Sequence, residues 1–190
     1  MIISERQVKL FGVKKVAERE WYRQNRLREP FIKNFNKVMT NYYRNLANEI
    51  NNTWQTRSTF LIDLDINRNQ KVLQNIFRVQ YTVIANSFKN YALDRMQNVK
   101  DFDSEFDRKL NLYIEENVAI MVTDINETTR NRIKNVINSS YNDGLSTEET
   151  GNALRNTILG FGAYRANLIA RTEVHRTASW ANETVAENMN

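Results

Sequence analysis

From Phe31 onward, apolar residues return every three or four positions, at Phe35, Val38, Tyr42, Leu46, Ile50 and Trp54. This spacing keeps them on one side of an α-helix for about six turns, longer than a strand or loop sustains any period. A single proline, Pro30, and five glycines are the strongest helix breakers in 190 residues, so long helices are the expected element throughout.

Upstream of Pro30, residues 5–28 read as a second amphipathic helix. Leu10, Val13, Ala17 and Trp21 share one face, while Lys15, Arg19, Arg23 and Arg26 run down another. Pro30 is expected to end or kink it. Residues 58–70, "STFLIDLDINRNQ", are read as a linker. A second long helix is expected over 70–97, with Leu73, Ile76, Phe77, Val83, Ile84, Phe88 and Tyr91 on its apolar side. "KDFDSEF" then supplies helix-capping residue types. From Phe106 to Tyr141 the apolar spacing stays helical, as one helix or as two broken near residue 123. "NDG" at 142–144 ends that run, and Ser146 with Glu149 forms a capping box for a short helix. "GFG" at 160–162 is expected to turn the chain before a final helix from Tyr164.

The expected fold is all-α. It has a basic N-terminal leader helix (1–30), a region of two long antiparallel helices (31–124) and a compact helical C-terminal part (125–190). Asparagine, a mediocre helix former, is abundant on these segments, so their stability is expected to come from packing more than from propensity.

Charge is unevenly distributed. Residues 1–33 hold nine Lys or Arg against four acids, the whole of the net charge of +5, and the remaining residues sum to zero. A polyanionic partner is therefore first sought at Lys15, Arg19, Arg23 and Arg26, where a solvated helix face is the competing explanation. Recognition of a particular base sequence is not expected, because no helix-turn-helix or finger pattern accompanies these residues. Aromatic residues Trp21, Phe31, Phe35, Tyr42, Tyr43 and Trp54 recur at helical spacing and read as core or interface rather than as a base-stacking platform. The start, "MIISERQVKL", has no signal-peptide pattern, and the longest apolar run, Val118–Val122, is far too short to span a bilayer. The chain reads as soluble and unsecreted, with no membrane anchor.

The residues hold little that points to catalysis. With no cysteine, thiol nucleophiles and thiolate metal sites are impossible. The one histidine, His175, lies near Arg171 and Arg176, which disfavour its imidazolium. Acidic runs at 63–65 and 101–107 lack the glycine and terminal glutamate of a calcium loop and read as helix-start carboxylates. "GFG" lacks the Lys-Ser or Lys-Thr of a phosphate loop. No cofactor, metal site or enzymatic activity is expected.

Residues 125–185 support a more specific statement. Thr128-Thr129-Arg130, then Gly144-Leu145-Ser146 before a capped helix, and above all "RANLIARTEVHRTAS" from Arg165 to Ser179, with its Ala170-Arg171-Thr172-Glu173 core, resemble the Mu F-like minor head proteins of tailed bacteriophages. The resemblance covers about a third of the chain. It implies a head-morphogenesis protein present in multiple copies inside the virion head at the portal vertex and made in the host bacterial cytoplasm. The portal protein is the implied partner, with packaged double-stranded DNA as a second one through the basic leader. Two alternatives stand beside it: a DNA-binding accessory protein packaged in the head, and the N-terminal part of a longer phage protein with a toxin or transferase domain.

Within the motif, Arg130, Arg165, Arg171, Thr172 and Glu173 are expected to play a structural part. Arg171 and Glu173 lie on different faces of one helix, so each needs a partner elsewhere. Glu173 is expected to reach Arg130 or Arg132, and Arg171 a carboxylate on a packed helix, as a buried polar clamp that sets helix register.

Overall fold

The computed structural model describes the backbone of residues 5–56, 60–95 and 103–187, with side chains over 18–55, 66–95 and 103–187. Four helices account for nearly all of it: α1 (Glu5–Thr56), α2 (Phe60–Leu93), α3 (Asp103–Asn142) and α4 (Thr147–Glu187). The all-α expectation holds. No strand occurs among the described residues.

Successive helices run in opposite directions. Phe31 meets Phe88 and Phe35 meets Phe77 between α1 and α2. Tyr81 meets Tyr113 between α2 and α3, and Tyr113 stacks on Trp180 between α3 and α4. Helix α4 then closes the bundle against α1. It also packs on α2, so it touches all three other helices, whereas α1 and α3 do not meet among the described residues. The core follows from this arrangement, with Phe35, Met39, Tyr43, Leu46 and Ile50 of α1 facing Leu73, Phe77, Tyr81, Ile84 and Phe88 of α2. Burying each such side chain fully contributes roughly 1.5–3 kcal/mol.

Several local expectations need correction. Pro30 does not end a helix, since α1 continues through it to Thr56. A proline in a helix interior loses one hydrogen bond and costs about 3 kcal/mol, but the apolar face continues on both sides through Leu27, Phe31 and Phe35, all packed on the core. Pro30 and Arg26, whose carbonyl loses its donor, are both exposed to solvent. Residues 60–69 are not a linker but the first turns of α2, and Ile66 is fully buried. Residues 96–97, at the end of the helix expected over 70–97, lie outside the described residues. Residues 106–141 form one helix, with Val122 and Ile125 buried on either side of the expected break.

The C-terminal part is a long hairpin. Gly144, at φ 66°, supplies the left-handed residue that ends α3 after Asn142. Ser146 Oγ then accepts from the Glu149 backbone N–H at 3.2 Å, while the Glu149 carboxylate accepts from the Ser146 N–H at 2.8 Å. This is the expected capping box, and those bonds hold the Glu149 carboxyl below its usual range. It opens α4 itself rather than a short helix. Gly160 and Gly162 do not turn the chain, because α4 passes through both.

Gly162 has a packing function instead. A Cβ placed there would lie 2.7 Å from both Cβ and Cγ of Tyr43. Those atoms sit close to the α1 backbone and cannot swing aside. The Tyr43 ring also lies edge-on to Phe161, at 5.6 Å between centroids. At Gly151 the same helix pair is nearly as tight, with Asn51 Oδ1 2.8 Å from the added Cβ. Near the open end of that pair, Trp54 Nε1 donates to the Thr147 carbonyl at 2.9 Å.

Gly160 provides the control, since nothing lies within 4 Å of its added Cβ. Gly160→Ala is expected to stabilise the protein by up to about 1 kcal/mol through helix propensity. Gly162→Ala is expected to destabilise it by about 1–3 kcal/mol through overpacking. Urea unfolding of both variants checks this; a Gly162→Ala protein as stable as the parent contradicts the close approach.

Candidate functional site

The Ala170–Glu173 core lies in the middle of α4, where the helix is enclosed by its three neighbours. A helix turns 100° per residue, so adjacent motif residues point in different directions. Ala166, Ala170, Val174 and Ala178 are buried without residual exposure, whereas Arg171, Thr172 and His175 face solvent. Small residues on the inner face let neighbouring backbones approach. The outer face also exposes Tyr164 and Leu168.

Glu173 is the exception among the charged residues of the motif, with 1% of its surface exposed. Tyr81 of α2 donates its hydroxyl to Glu173 Oε2 at 2.6 Å, and the Arg176 guanidinium lies 3.3 Å from Oε1. Burial raises the Glu173 pKa above its ordinary value, opposed by the Tyr81 hydrogen bond and then by Arg176. The Tyr81 phenol is held far above its usual range by burial and by that carboxylate.

Around this node the contact continues into α3. Tyr113 lies 5.6 Å from Tyr81 between ring centroids, shares a 3.4 Å hydrogen bond with Thr177, and stacks on Trp180 at 4.5 Å. One buried carboxylate thus sits where α2, α3 and α4 converge. Arg176, nearly half exposed, is its route to solvent.

The expected partners of Glu173 are therefore corrected. Arg130 donates to Asn67 Oδ1 of α2 at 2.6 Å, and Arg132 lies over the Phe161 ring at 5.9 Å. Neither reaches Glu173, because the α3 residue at its level is Tyr113, more than four helical turns from Arg130 and Arg132. Arg171 is exposed, and no carboxylate pairs with it among the described residues. Arg165 is half-buried beside Tyr43; its proximity works against the burial that pushes the Tyr43 phenol up to about 12. Their contact stops short of a formed hydrogen bond, since the Tyr43 hydroxyl and Arg165 Nε each lack a partner.

Residues outside the expected set complete the site. Arg176 is visible in the sequence as a cation one turn after Glu173. Tyr81 is not among the residues expected on the apolar side of α2, and only the fold sets its hydroxyl opposite Glu173. Arg28 of α1 is another such residue. It is buried, receives support from Gln24 Oε1 at 3.0 Å, and lies over the Phe88 ring. The pKa of His175 is lowered by desolvation, then by Arg28 and Arg171, so Arg28 acts where Arg176 was expected.

The basic candidates form a separate surface. Arg19, Arg23 and Arg26 are all exposed, and Lys15 lies outside the described side chains. Trp21, expected on the apolar face, is 58% exposed and meets Tyr22 edge-on at 5.0 Å. Phe35, Tyr42 and Tyr43 are core residues as expected, with Phe31 and Trp54 packed at its edge. Glu20, on the same stretch of α1, accepts from Tyr91 at 2.9 Å and pairs with Arg95, which together anchor this stretch to the end of α2. Among the described residues no group of acidic or histidine side chains is arranged to hold a metal ion. No described helix is long and apolar enough to cross a membrane. No family model, curated protein or solved structure matches the chain.

Because the folded state retains the Glu173 proton more tightly than the unfolded chain, this carboxyl weakens the fold as pH rises above its ordinary value of 4.5 and not below it. Glu173→Gln keeps an acceptor for Tyr81 and removes the titration. Its stability relative to the parent is expected to rise from about pH 4 to about pH 7 in urea melts, and a flat difference contradicts the assignment. Glu173→Ala also strands the Tyr81 hydroxyl and is expected to lose about 2–4 kcal/mol near neutral pH.

Proposed function

We propose that this chain is a minor head protein of a tailed bacteriophage, seated at the portal vertex and acting in head assembly and in genome packaging or ejection. The observation that carries the proposal is the stretch Arg165–Ser179, with its Ala-Arg-Thr-Glu core, together with the Thr-Thr-Arg and Gly-Leu-Ser marks upstream. In this reading the motif has an organisational role. Its inner residues pack α4 into the bundle, and its outer residues Tyr164, Leu168, Arg171 and Thr172 are left on the surface for a partner. The protein would act in multiple copies through contacts rather than by catalysing a reaction.

A second reading, a DNA-binding accessory protein of the head, is favoured by exposed Arg19, Arg23 and Arg26 in the segment that holds the whole net charge. Contacts of this kind neutralise phosphates, so affinity would fall steeply with salt.

Co-expression with the portal protein of the same phage, followed by size-exclusion chromatography with light scattering, separates the readings. A stable complex of defined mass is expected, and it would be weakened by Arg171→Ala with Leu168→Ala. A protein that elutes alone and shifts only on double-stranded DNA, with salt-sensitive affinity, replaces the portal reading with the accessory one.

A further inference from the structure

Helix α2 carries more apolar surface than the bundle uses. Val83 and Ile76 were expected on its buried side, yet Val83 is 49% exposed, as is Val72, and Val79 is 57% exposed. Ile76 is only partly buried. These four β-branched residues, Val72, Ile76, Val79 and Val83, are spaced alternately four and three apart, which is the a/d repeat of a coiled-coil seam. They form a second stripe on α2, set apart from the core residues Leu73, Phe77, Ile84 and Phe88.

We propose that this stripe is a self-association surface, on which α2 pairs antiparallel with α2 of a second copy of the chain. An antiparallel seam layers a positions on d positions, so Val72 meets Val83 of the second copy and Ile76 meets its Val79. All four aliphatic residues of each copy are then covered by a two-fold, self-complementary contact. Asn86 and Asn90, the next positions in the repeat, end the apolar seam and define its register.

Charge favours a second copy as the occupant. From Val72 to Asn90 the charged residues of α2 are Arg78 and Lys89. By helix geometry Arg78 lies on the opposite side from Ile76, and Lys89 is buried against Asp103 and the Phe106 ring. Along the α1 border Asn34 donates to Gln80 at 3.4 Å, and the Glu49 carboxylate, which accepts from Asn69, lies beyond the Val72 end of the seam. Two copies of this surface therefore meet without like-charge repulsion. The same reasoning sets the direction. Arg68 and Lys71 lie at one end of the seam, and a parallel pair would bring each near its own copy. The antiparallel pair sets that basic end near uncharged Ser87 and Asn90.

The chain has no cysteine, so single cysteines report this geometry directly. Val72→Cys and Val83→Cys proteins are prepared separately, mixed, and treated with a short bismaleimide. The mixture is expected to give a covalent dimer of twice 22.4 kDa. Either protein alone is expected to give little, because the two Val72 positions of an antiparallel pair lie about 16 Å apart along the helices. Val79→Lys, at an exposed position, is expected to keep the helical circular dichroism and to lower dimer yield by roughly tenfold or more. Efficient linking of Val72→Cys to itself would overturn the antiparallel pairing. A monomer at all concentrations in sedimentation equilibrium, with no linked product in the mixture, would overturn self-association altogether.

Discussion

The contact that leaves least room for alternatives is the approach of α4 to α1 at Tyr43. A residue with a side chain does not fit at position 162, because its Cβ would stand 2.7 Å from atoms at the base of the tyrosine. With that contact set, α4 lies close enough to α1 for Trp54 to reach the Thr147 carbonyl and for Arg28 to act on His175. It is also carried into contact with α2 and α3. The result is a helix with apolar and small residues on several sides, stepping four positions at a time from Leu154 through Ile158, Gly162 and Ala166 to Ala170. A four-residue step exceeds the helical turn of 3.6, so the buried stripe winds around α4 as the helix passes its three neighbours.

Within that frame a buried carboxylate is costly unless its oxygens are occupied. Glu173 is supplied from two sides, by a phenol from α2 and a guanidinium from its own helix. A shift of one helical turn between α2 and α4 would leave the Tyr81 hydroxyl buried without its acceptor and Glu173 with Arg176 alone, whereas apolar neighbours tolerate such a shift with less loss. The polar pair therefore contributes to register more than to net stability. Lys89 has a related position at the other end of α2, where it joins Asp103 and lies over Phe106.

The helical class was legible because periodicity is a local signal, and α1 and α2 were readable from Phe35, Leu46, Phe77 and Ile84. Helix ends marked by their own chemistry were legible too, as at Gly144 and at Ser146 with Glu149. What failed were inferences from breakers. Pro30, Gly160 and Gly162 read as breaks in the sequence, but packing on both sides of each carries the helix through it, and at 162 the missing side chain is the requirement itself. The alternating run before Ile66 likewise fits a helix once α2 is docked. Partners of the motif residues were not legible. Glu173 was rightly expected to be buried and paired, but nothing local indicates a tyrosine nearly a hundred positions away, and Arg130 is drawn instead to Asn67.

The same geometry divides the protein into a part that builds the bundle and parts left for other molecules. Inward, the motif is architecture; outward, Arg171 and its exposed neighbours, the basic face of α1 and the aliphatic stripe of α2 remain available. The inward half holds the bundle together, and a double-mutant cycle between Tyr81→Phe and Glu173→Ala, in which each change removes the bond, tests this most directly when read by urea unfolding near neutral pH. A coupling of about 1–3 kcal/mol between the two positions is expected of a buried, charge-assisted bond. Losses that simply add would contradict a clamp between α2 and α4 and leave Glu173 without the organising role assigned to it.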